Sequence, residues 1–379
     1  MTNTGLGFGV LGPLLMTSHG VRVPVGPPKQ RAVLAMLLIN RNRPVSVESL
    51  INAVWGEDPV PAARTSIQAH VSNLRRLLRT AGVDPYQTLA SAPPGYQLSV
   101  PDADCDLGRF VGEKAAGIQA GAAGHFDEAS HHLSLALAEW RGPVLDDLRD
   151  FAFVDAFATA LMEEKVAAHT ARAEAEIARG RAGAVIGELE VLTAEHPYRE
   201  PLWAQLITAY YVTERQSDAL GAYRRLKAAL AEGLGIDPGP TVSALHERIL
   251  RQEPLGEKRE ALTTHKRGVY RRETTTEGIP LAQFVAARLR DQNGRVHRLT
   301  GAITRIGRFG DNDIVLDDTD VSRHHAVITD TGTGFVMTDL RSTNGVEVQG
   351  QRIRGSAPLA EGDHIRIGGY EFTFETRPG

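Results

Sequence analysis

The sequence carries a single cysteine, Cys105, in 379 residues, which excludes a disulfide framework and a Cys-based metal site and suits a reducing compartment. It has no run of about 18 apolar residues, and residues 1–13 lack a charged stretch followed by an apolar block. Neither a membrane span nor a secretory leader is expected, and the reading is a soluble, cytoplasmic protein with no direct membrane insertion. No G-x-x-x-x-G-K-[ST] run occurs, no kinase glycine loop with its catalytic Asp, and no H-E-x-x-H or G-x-S-x-G, so no feature points to an enzyme or a bound nucleotide. The thirteen histidines are scattered, and the pairs His131-His132 and His324-His325 lack metal-ligand spacing. Neither metal nor cofactor is expected.

What is present is long and unevenly charged. Domains of about 100 to 200 residues imply two or three of them here. A net charge of -4 conceals a gradient: nine Lys/Arg face three Asp/Glu over residues 22–79, whereas eighteen acids face nine bases over 104–200. Nucleic acid is to be sought at the basic end.

In that basic stretch, residues 8–15 and 21–25 read as short strands separated by a His19-Gly20 turn. Pro27-Pro28 opens a helix over 30–40 with the stripe Val33, Leu34, Leu37 and Leu38. Ser46 precedes a second helix, 47–55, stopped by Gly56. A third runs from Pro61 to about Thr80, with Ile67, Val71, Leu74 and Leu78 on one stripe and Thr65, Gln68, Ala69, Ser72, Arg76 and Arg79 opposite. No Asp or Glu occurs between Ala62 and Ala81. An acid-free polar face of this kind suits a DNA major groove, and residues 88–100, with Pro93-Pro94-Gly95-Tyr96, read as a hairpin wing. This segment resembles the winged helix-turn-helix of OmpR-type response regulators in the version used by the Streptomyces antibiotic regulatory protein (SARP) family. The resemblance rests on Lys29-Gln30-Arg31-Ala32-Val33-Leu34, Val54-Trp55-Gly56, residues 67–77 and Pro94-Gly95-Tyr96. It implies base-edge or adjacent contacts for Gln68, Ser72 and Asn73, with Thr65 beside them, and phosphate contacts for Arg64, Arg75 and Arg76. Without it, those arginines read equally as a solvated helix face.

Residues 107–250 are helical by pattern. The junctions Gly180-Arg-Ala-Gly-Ala-Val185 and Glu214-Arg-Gln-Ser-Asp-Ala219 lie 34 residues apart, the period of tetratricopeptide repeats, and Gly124-His-Phe-Asp-Glu-Ala129 is of the same kind. The segment resembles the bacterial transcriptional activation domain of SARP regulators, which implies docking of other protein; Trp203, Tyr210 and Tyr211 read as core. Residues 253–278 read as a polar linker whose Thr263-Thr264 and Thr274-Thr275-Thr276 are usually just solvated.

From residue 281 the pattern changes to short alternating runs broken by Gly, Asp, Asn and Pro, which is the pattern of a β-sandwich. It carries Gly307-Arg308, Ser322-Arg323-His324-His325 and Ser342-Thr343-Asn344-Gly345 in that order. Together these resemble the forkhead-associated (FHA) domain, a phosphothreonine-reading module. A phosphothreonine brings nearly two negative charges and three acceptor oxygens, so its reader needs a guanidinium with hydroxyl or amide donors converging from loops. The resemblance implies phosphothreonine contacts for Arg308, Ser322, Arg323, Thr343 and Asn344, and structural roles for Gly307, His325 and Gly345. Singly, each is an ordinary surface or turn residue.

The expected whole is a multidomain α+β chain. It comprises an OmpR-type winged helix-turn-helix (1–103), an all-α TPR-like activation domain (104–252), a linker (253–280) and an all-β FHA sandwich (281–379). That order resembles the mycobacterial EmbR-type branch of the SARP/AfsR family. The resemblance implies a transcriptional activator docked by a phosphorylated Ser/Thr protein kinase, acting on genes of cell-wall arabinan synthesis. Its implied partners are double-stranded promoter DNA, that kinase, RNA polymerase and a second copy of the chain. Neither a phospho-receiver domain nor the ATPase module of large SARP regulators is seen, so input is expected through the phosphothreonine reader. The rival reading is a phospho-dependent scaffold whose winged helix contacts protein.

Overall fold

The computed structural model describes residues 5–56, 58–255, 286–299, 303–310, 312–330, 334–340, 342–353 and 355–377. The expected linker beyond residue 255, with its threonines, lies outside them. The described residues fall into two compact units, one drawn from 1–112, 138–164 and 282–379 and the other from 113–137 and 165–281.

The first unit opens with an antiparallel sheet of β1 (Leu6–Gly9), β2 (Leu15–Ser18) and β3 (Val21–Arg22). The single strand expected over 8–15 is corrected: the chain reverses there, and Phe8 pairs with Met16 across the hairpin. Pro13 has no N–H to give a ladder, and the N–H groups of Val10 and Leu11 go instead to the two carboxylate oxygens of Asp106, at 2.9 and 3.0 Å. Asp106 also accepts from the Leu107 N–H at 2.7 Å and from Arg141 at 3.0 Å.

Then come α1 (Pro28–Ile39), β4 (Pro44–Ser46), α2 (Val47–Trp55), α3 (Ala63–Thr80), the short α4 (Pro85–Thr88), β5 (Leu89–Ala92) and β6 (Gly95–Leu98). The Ser46 hydroxyl caps α2 by accepting from the Ser49 N–H, and the backbone at Gly56 turns to φ 67° at its end. The stripe Val33, Leu34, Leu37 and Leu38 on α1 is buried, and burial extends beyond it to Ala32, Ala35, Met36 and Ile39. A helix packed against α2, α3 and the sheets together has little polar face left to read. In α3 the expected stripe is buried as Ile67, Val71, Leu74 and Leu78 with Ala63. β5 and β6 form the wing hairpin, and β6 lies between β5 and β4.

Helices α5 (Asp106–Ala122), α6 (Phe126–Ala138), α7 (Ala152–Ala178), α8 (Ile186–Glu195), α9 (Glu200–Val212), α10 (Gln216–Leu234) and α11 (Pro240–Leu250) follow. In the second unit Trp203, Leu206, Tyr210, Ala219, Leu226 and Ile249 share one core. The predicted 34-residue spacing reappears in the backbone: Gly180 and Glu214 take φ of 74° and 63° at equivalent turns. The Trp203 indole donates to the Pro197 carbonyl at 2.9 Å.

The C-terminal part of the first unit is a sandwich. One sheet, in the order β10-β9-β11-β12-β15, contains β9 (Ile303–Gly307), β10 (Ile314–Val315), β11 (Ala326–Asp330), β12 (Phe335–Asp339) and β15 (Ser356–Leu359). The other, β14-β13-β16-β17-β7-β8, contains β7 (Ala286–Asp291), β8 (Val296–Arg298), β13 (Val346–Val348), β14 (Gln351–Arg352), β16 (His364–Ile367) and β17 (Tyr370–Arg377). Leu289, Ile306, Ile328, Met337, Ile367 and Phe374 meet between them, which is how two half-apolar sheets hide their inner faces.

Asp106 is 2% exposed and is satisfied by three backbone N–H groups and one guanidinium. Replacing it by Ala strands those donors, and removing one partner of a buried charged cluster costs roughly 3 kcal/mol or more. Asp106→Ala is therefore expected to lower the denaturation midpoint clearly, measured by circular dichroism in urea; an unchanged midpoint contradicts this.

Candidate functional site

The three C-terminal motifs meet at one end of the sandwich. Gly307 closes β9, Ser322 and Arg323 lie on the loop before β11, and Thr343 and Asn344 lie on the turn before β13. His325 ties the two latter loops together from inside. It is 0% exposed; its Nδ1 accepts from the Ser322 N–H at 3.0 Å, and its Nε2 lies 3.0 Å from the Gly345 carbonyl, to which it donates. Because Nδ1 is an acceptor here, the ring is neutral with its proton on Nε2. Burial holds its pKa below the ordinary value, partly offset by the bond to Gly345.

Two glycines make the close approach possible. A Cβ on Gly307 would lie 2.4 Å from the Arg323 carbonyl oxygen, and Gly345 takes φ 78° with the Arg352 guanidinium against it. Across the gap, the Arg308 N–H donates to the Ser322 carbonyl at 3.0 Å and the Phe309 N–H to the Arg323 carbonyl at 3.1 Å.

The polar groups that result converge. The Ser322 hydroxyl accepts from the Thr343 N–H at 3.1 Å, and the Asn344 amide donates to the Asp320 carbonyl at 2.8 Å. Arg308, Thr343 and Asn344 are exposed, while Ser322 and Arg323 are half-buried. Through these bonds the loops bearing Arg308, Ser322, Thr343 and Asn344 share one rim. Arg323 differs: its guanidinium donates to the Asn52 side-chain oxygen on α2 and lies 5.4 Å from the Phe309 ring centre. Beside the rim, Asp320, Asn344, Gly345, Glu347, Arg366 and Gly368 line a shallow cavity of about 200 Å³.

Sequence reasoning missed two residues that shape this end. The Asn312 amide donates to both the Phe309 and Arg323 carbonyls at 2.8 Å, joining the loops that carry Arg308 and Arg323. The Asp318 carboxylate accepts from the Asp320 and Gly369 N–H groups at 2.8 and 2.9 Å, which holds its pKa below the usual carboxylate range. An Asn and an Asp in Gly-Asp-Asn-Asp and Asp-Asp-Thr-Asp runs look like any turn residues, so the sequence held no signal for either.

On α3, Arg64, Thr65, Gln68, Ser72, Arg76 and Arg79 are exposed and Asn73 is half-buried. Arg64 pairs with Glu48 on α2. Arg75 is engaged within the fold: its guanidinium donates to the Leu89 carbonyl at 2.9 and 2.8 Å and to the Ser91 hydroxyl at 3.1 Å, and lies 4.7 Å from the Tyr86 ring centre. It fastens the wing to α3, because the hairpin brings these acceptors within its reach.

Three family models match the chain: "Transcriptional regulatory protein, C terminal" over residues 24–98, "Bacterial transcriptional activator domain" over 105–250 and "FHA domain" over 304–368. The transcriptional regulatory protein EmbR of Mycobacterium tuberculosis H37Rv is 64% identical over 375 residues, spanning 99% of this chain and 96% of its own. The regulatory protein AfsR of Streptomyces coelicolor is 33% identical over 291 residues, 76% of this chain and 28% of its own. A solved structure of M. tuberculosis EmbR with a low-affinity phosphopeptide superposes with a TM-score of 0.84 at 62% identity, over 99% of both chains.

The direction of the His325 shift sets a pH dependence. A buried imidazole whose pKa is lowered stabilises the fold above the unfolded value, about 6.5, and this stability is lost as pH falls from there toward the folded pKa. The thermal midpoint is therefore expected to fall more between pH 7.5 and 5.5 in the unaltered chain than in His325→Gln, which has no such proton to take up. Parallel midpoints by differential scanning calorimetry contradict that assignment.

Proposed function

Because the chain belongs to the EmbR family of transcriptional regulators, we propose that it binds promoter DNA through α3 and its wing and reads a phosphothreonine through the C-terminal loops. The observation that carries the second half is the shared rim of Arg308, Ser322, Thr343 and Asn344 on a buried imidazole. A guanidinium open to solvent beside a hydroxyl and an amide is the donor set that a phosphate dianion requires. The phosphopeptide bound to M. tuberculosis EmbR supports carrying that ligand class to this chain.

In this reading Arg308 pairs with the phosphate, Ser322 donates its hydroxyl to it, and Asn344 holds the peptide backbone beside Thr343, with Gly307, His325 and Gly345 shaping the loops. The physiological ligand is a phosphorylated Ser/Thr protein kinase. Docking couples kinase activity to promoter binding and activation, and the target genes belong to cell-wall arabinan synthesis. RNA polymerase and a second copy of the chain are the partners proposed for the helical unit. Gln68, Ser72 and Asn73, with Thr65, face base edges, and Arg64 and Arg76 face phosphates. The boundaries proposed for the parts are 1–103, 104–252, 253–280 and 281–379.

A hydrogen bond to a charged group contributes about 1.5 to 3 kcal/mol, so Arg308→Ala is expected to weaken a phosphothreonine peptide at least about tenfold in calorimetric titration. Normal binding by that variant contradicts the site. For DNA, Arg76→Ala is expected to weaken binding to all promoter fragments alike, and each lost phosphate contact lowers the slope of log affinity against log salt by about 0.9. Gln68→Ala is expected to act on preferred fragments alone. Should gel shifts detect no DNA binding even at low salt, the chain is a phospho-dependent scaffold instead.

A further inference from the structure

Within the first compact unit, the loops that carry the phosphothreonine rim are fastened to the winged helix. Arg323 donates to Asn52 on α2, and Arg305 on β9 donates to the Ile39 carbonyl at the end of α1 at 3.0 Å. Arg43, between α1 and β4, pairs with Asp313. Asp313 also accepts from the Arg305 N–H at 2.8 Å. It is the neighbour of Asn312, whose amide joins the loops carrying Arg308 and Arg323. All three tethers therefore end on β9 or on the two loops that would have to settle around a phosphate.

Arg323 stands at the junction. Its backbone carbonyl accepts from the Phe309 N–H and the Asn312 amide, which fixes the main chain next to Ser322. Its guanidinium is occupied by a neutral amide oxygen on another part of the chain. Both bonds have an ionised donor, but a phosphate adds the Coulombic attraction of nearly two negative charges, which the neutral amide lacks. A phosphate dianion held by Arg308 and Ser322 therefore outcompetes Asn52 for that guanidinium.

We propose that Arg323 is shared between two exclusive partners, Asn52 of the winged helix and the bound phosphothreonine, so that ligand binding unfastens the reader from α2. This deepens the proposed function and rests on it: it names the route by which the ligand is felt by the DNA-binding part. α2 packs against α3, so the released contact lies one helix away from the face proposed to read DNA. Coupling of this kind is reciprocal, and whatever weakens the tether must strengthen the ligand.

The test uses the full chain and a fluorescein-labelled phosphothreonine peptide selected from a degenerate library, read by fluorescence anisotropy. Asn52→Ala removes the competing acceptor and is expected to tighten the peptide about three- to tenfold. Asn52→Asp offers the guanidinium a carboxylate in place of the amide and is expected to weaken the peptide by a similar factor. Asn52 is half-buried on a helix flank, and the circular dichroism of both variants reports whether the fold is kept. Unchanged affinity in both, or weaker binding in Asn52→Ala, overturns the proposal. Arg308→Ala, measured alongside, separates the two ideas: if it binds normally, the phosphate site itself is misplaced. If it loses binding while the Asn52 variants match the unaltered chain, the site stands and the shared arginine falls.

Discussion

A single buried imidazole carries the C-terminal site. The ring of His325 bridges the Ser322 loop and the Gly345 turn through its two nitrogens, adding to the backbone bonds that already hold the Ser322 loop to the residues after β9. With the ring in place, the Ser322 hydroxyl stays against the Thr343 N–H and Arg308 stays on the same rim. The ring needs the sandwich around it, because only burial excludes the water that would compete for both nitrogens. It also needs Gly345, whose positive φ and lack of a Cβ leave room for the carbonyl and for Arg352. The polar rim thus depends on an apolar interior, and the binding chemistry on a packing constraint.

Arginine is used in several ways in this protein, and the acceptor within reach decides which. Arg75 meets the Leu89 carbonyl and becomes a strut of the wing. Arg141 meets Asp106 and helps close the fold. Arg323 meets Asn52 and ties reader to winged helix, whereas Arg308 and Arg76 are left open to solvent. A fork of donors at fixed geometry is equally suited to a carbonyl, a carboxylate, an amide or a phosphate. Residue type alone therefore says little about function, and the competition for each guanidinium says more.

This explains what was legible in the sequence. The α+β class and the three kinds of architecture could be read because periodicity and turn chemistry are local. The stripe of α3, the Ser46 cap, the Gly56 stop and the 34-residue spacing each depend on residues a few turns apart. The C-terminal motifs could be read only together, through their resemblance to the FHA domain; the structure supplies the physical reason for two of them, the close loop approach at Gly307 and the bridging ring of His325. What escaped the sequence has a common cause. The reversal near Pro13, and features the sequence did not show such as the burial of α1 beyond its stripe and the inward turn of Arg75, are set by partners remote in the chain, of which Asp106 is one. The bond from Arg323 to Asn52 spans 271 residues, and no short-range pattern encodes it.

The central claim is that a phosphothreonine bound at the C-terminal rim is felt at the winged helix. It is tested most directly by measuring the affinity of the full chain for a promoter fragment at saturating phosphothreonine peptide and, separately, with its unphosphorylated twin. The account predicts that the phosphorylated peptide alone shifts the DNA dissociation constant. Identical DNA affinity with both peptides, under conditions where only the phosphorylated one is bound, would contradict it.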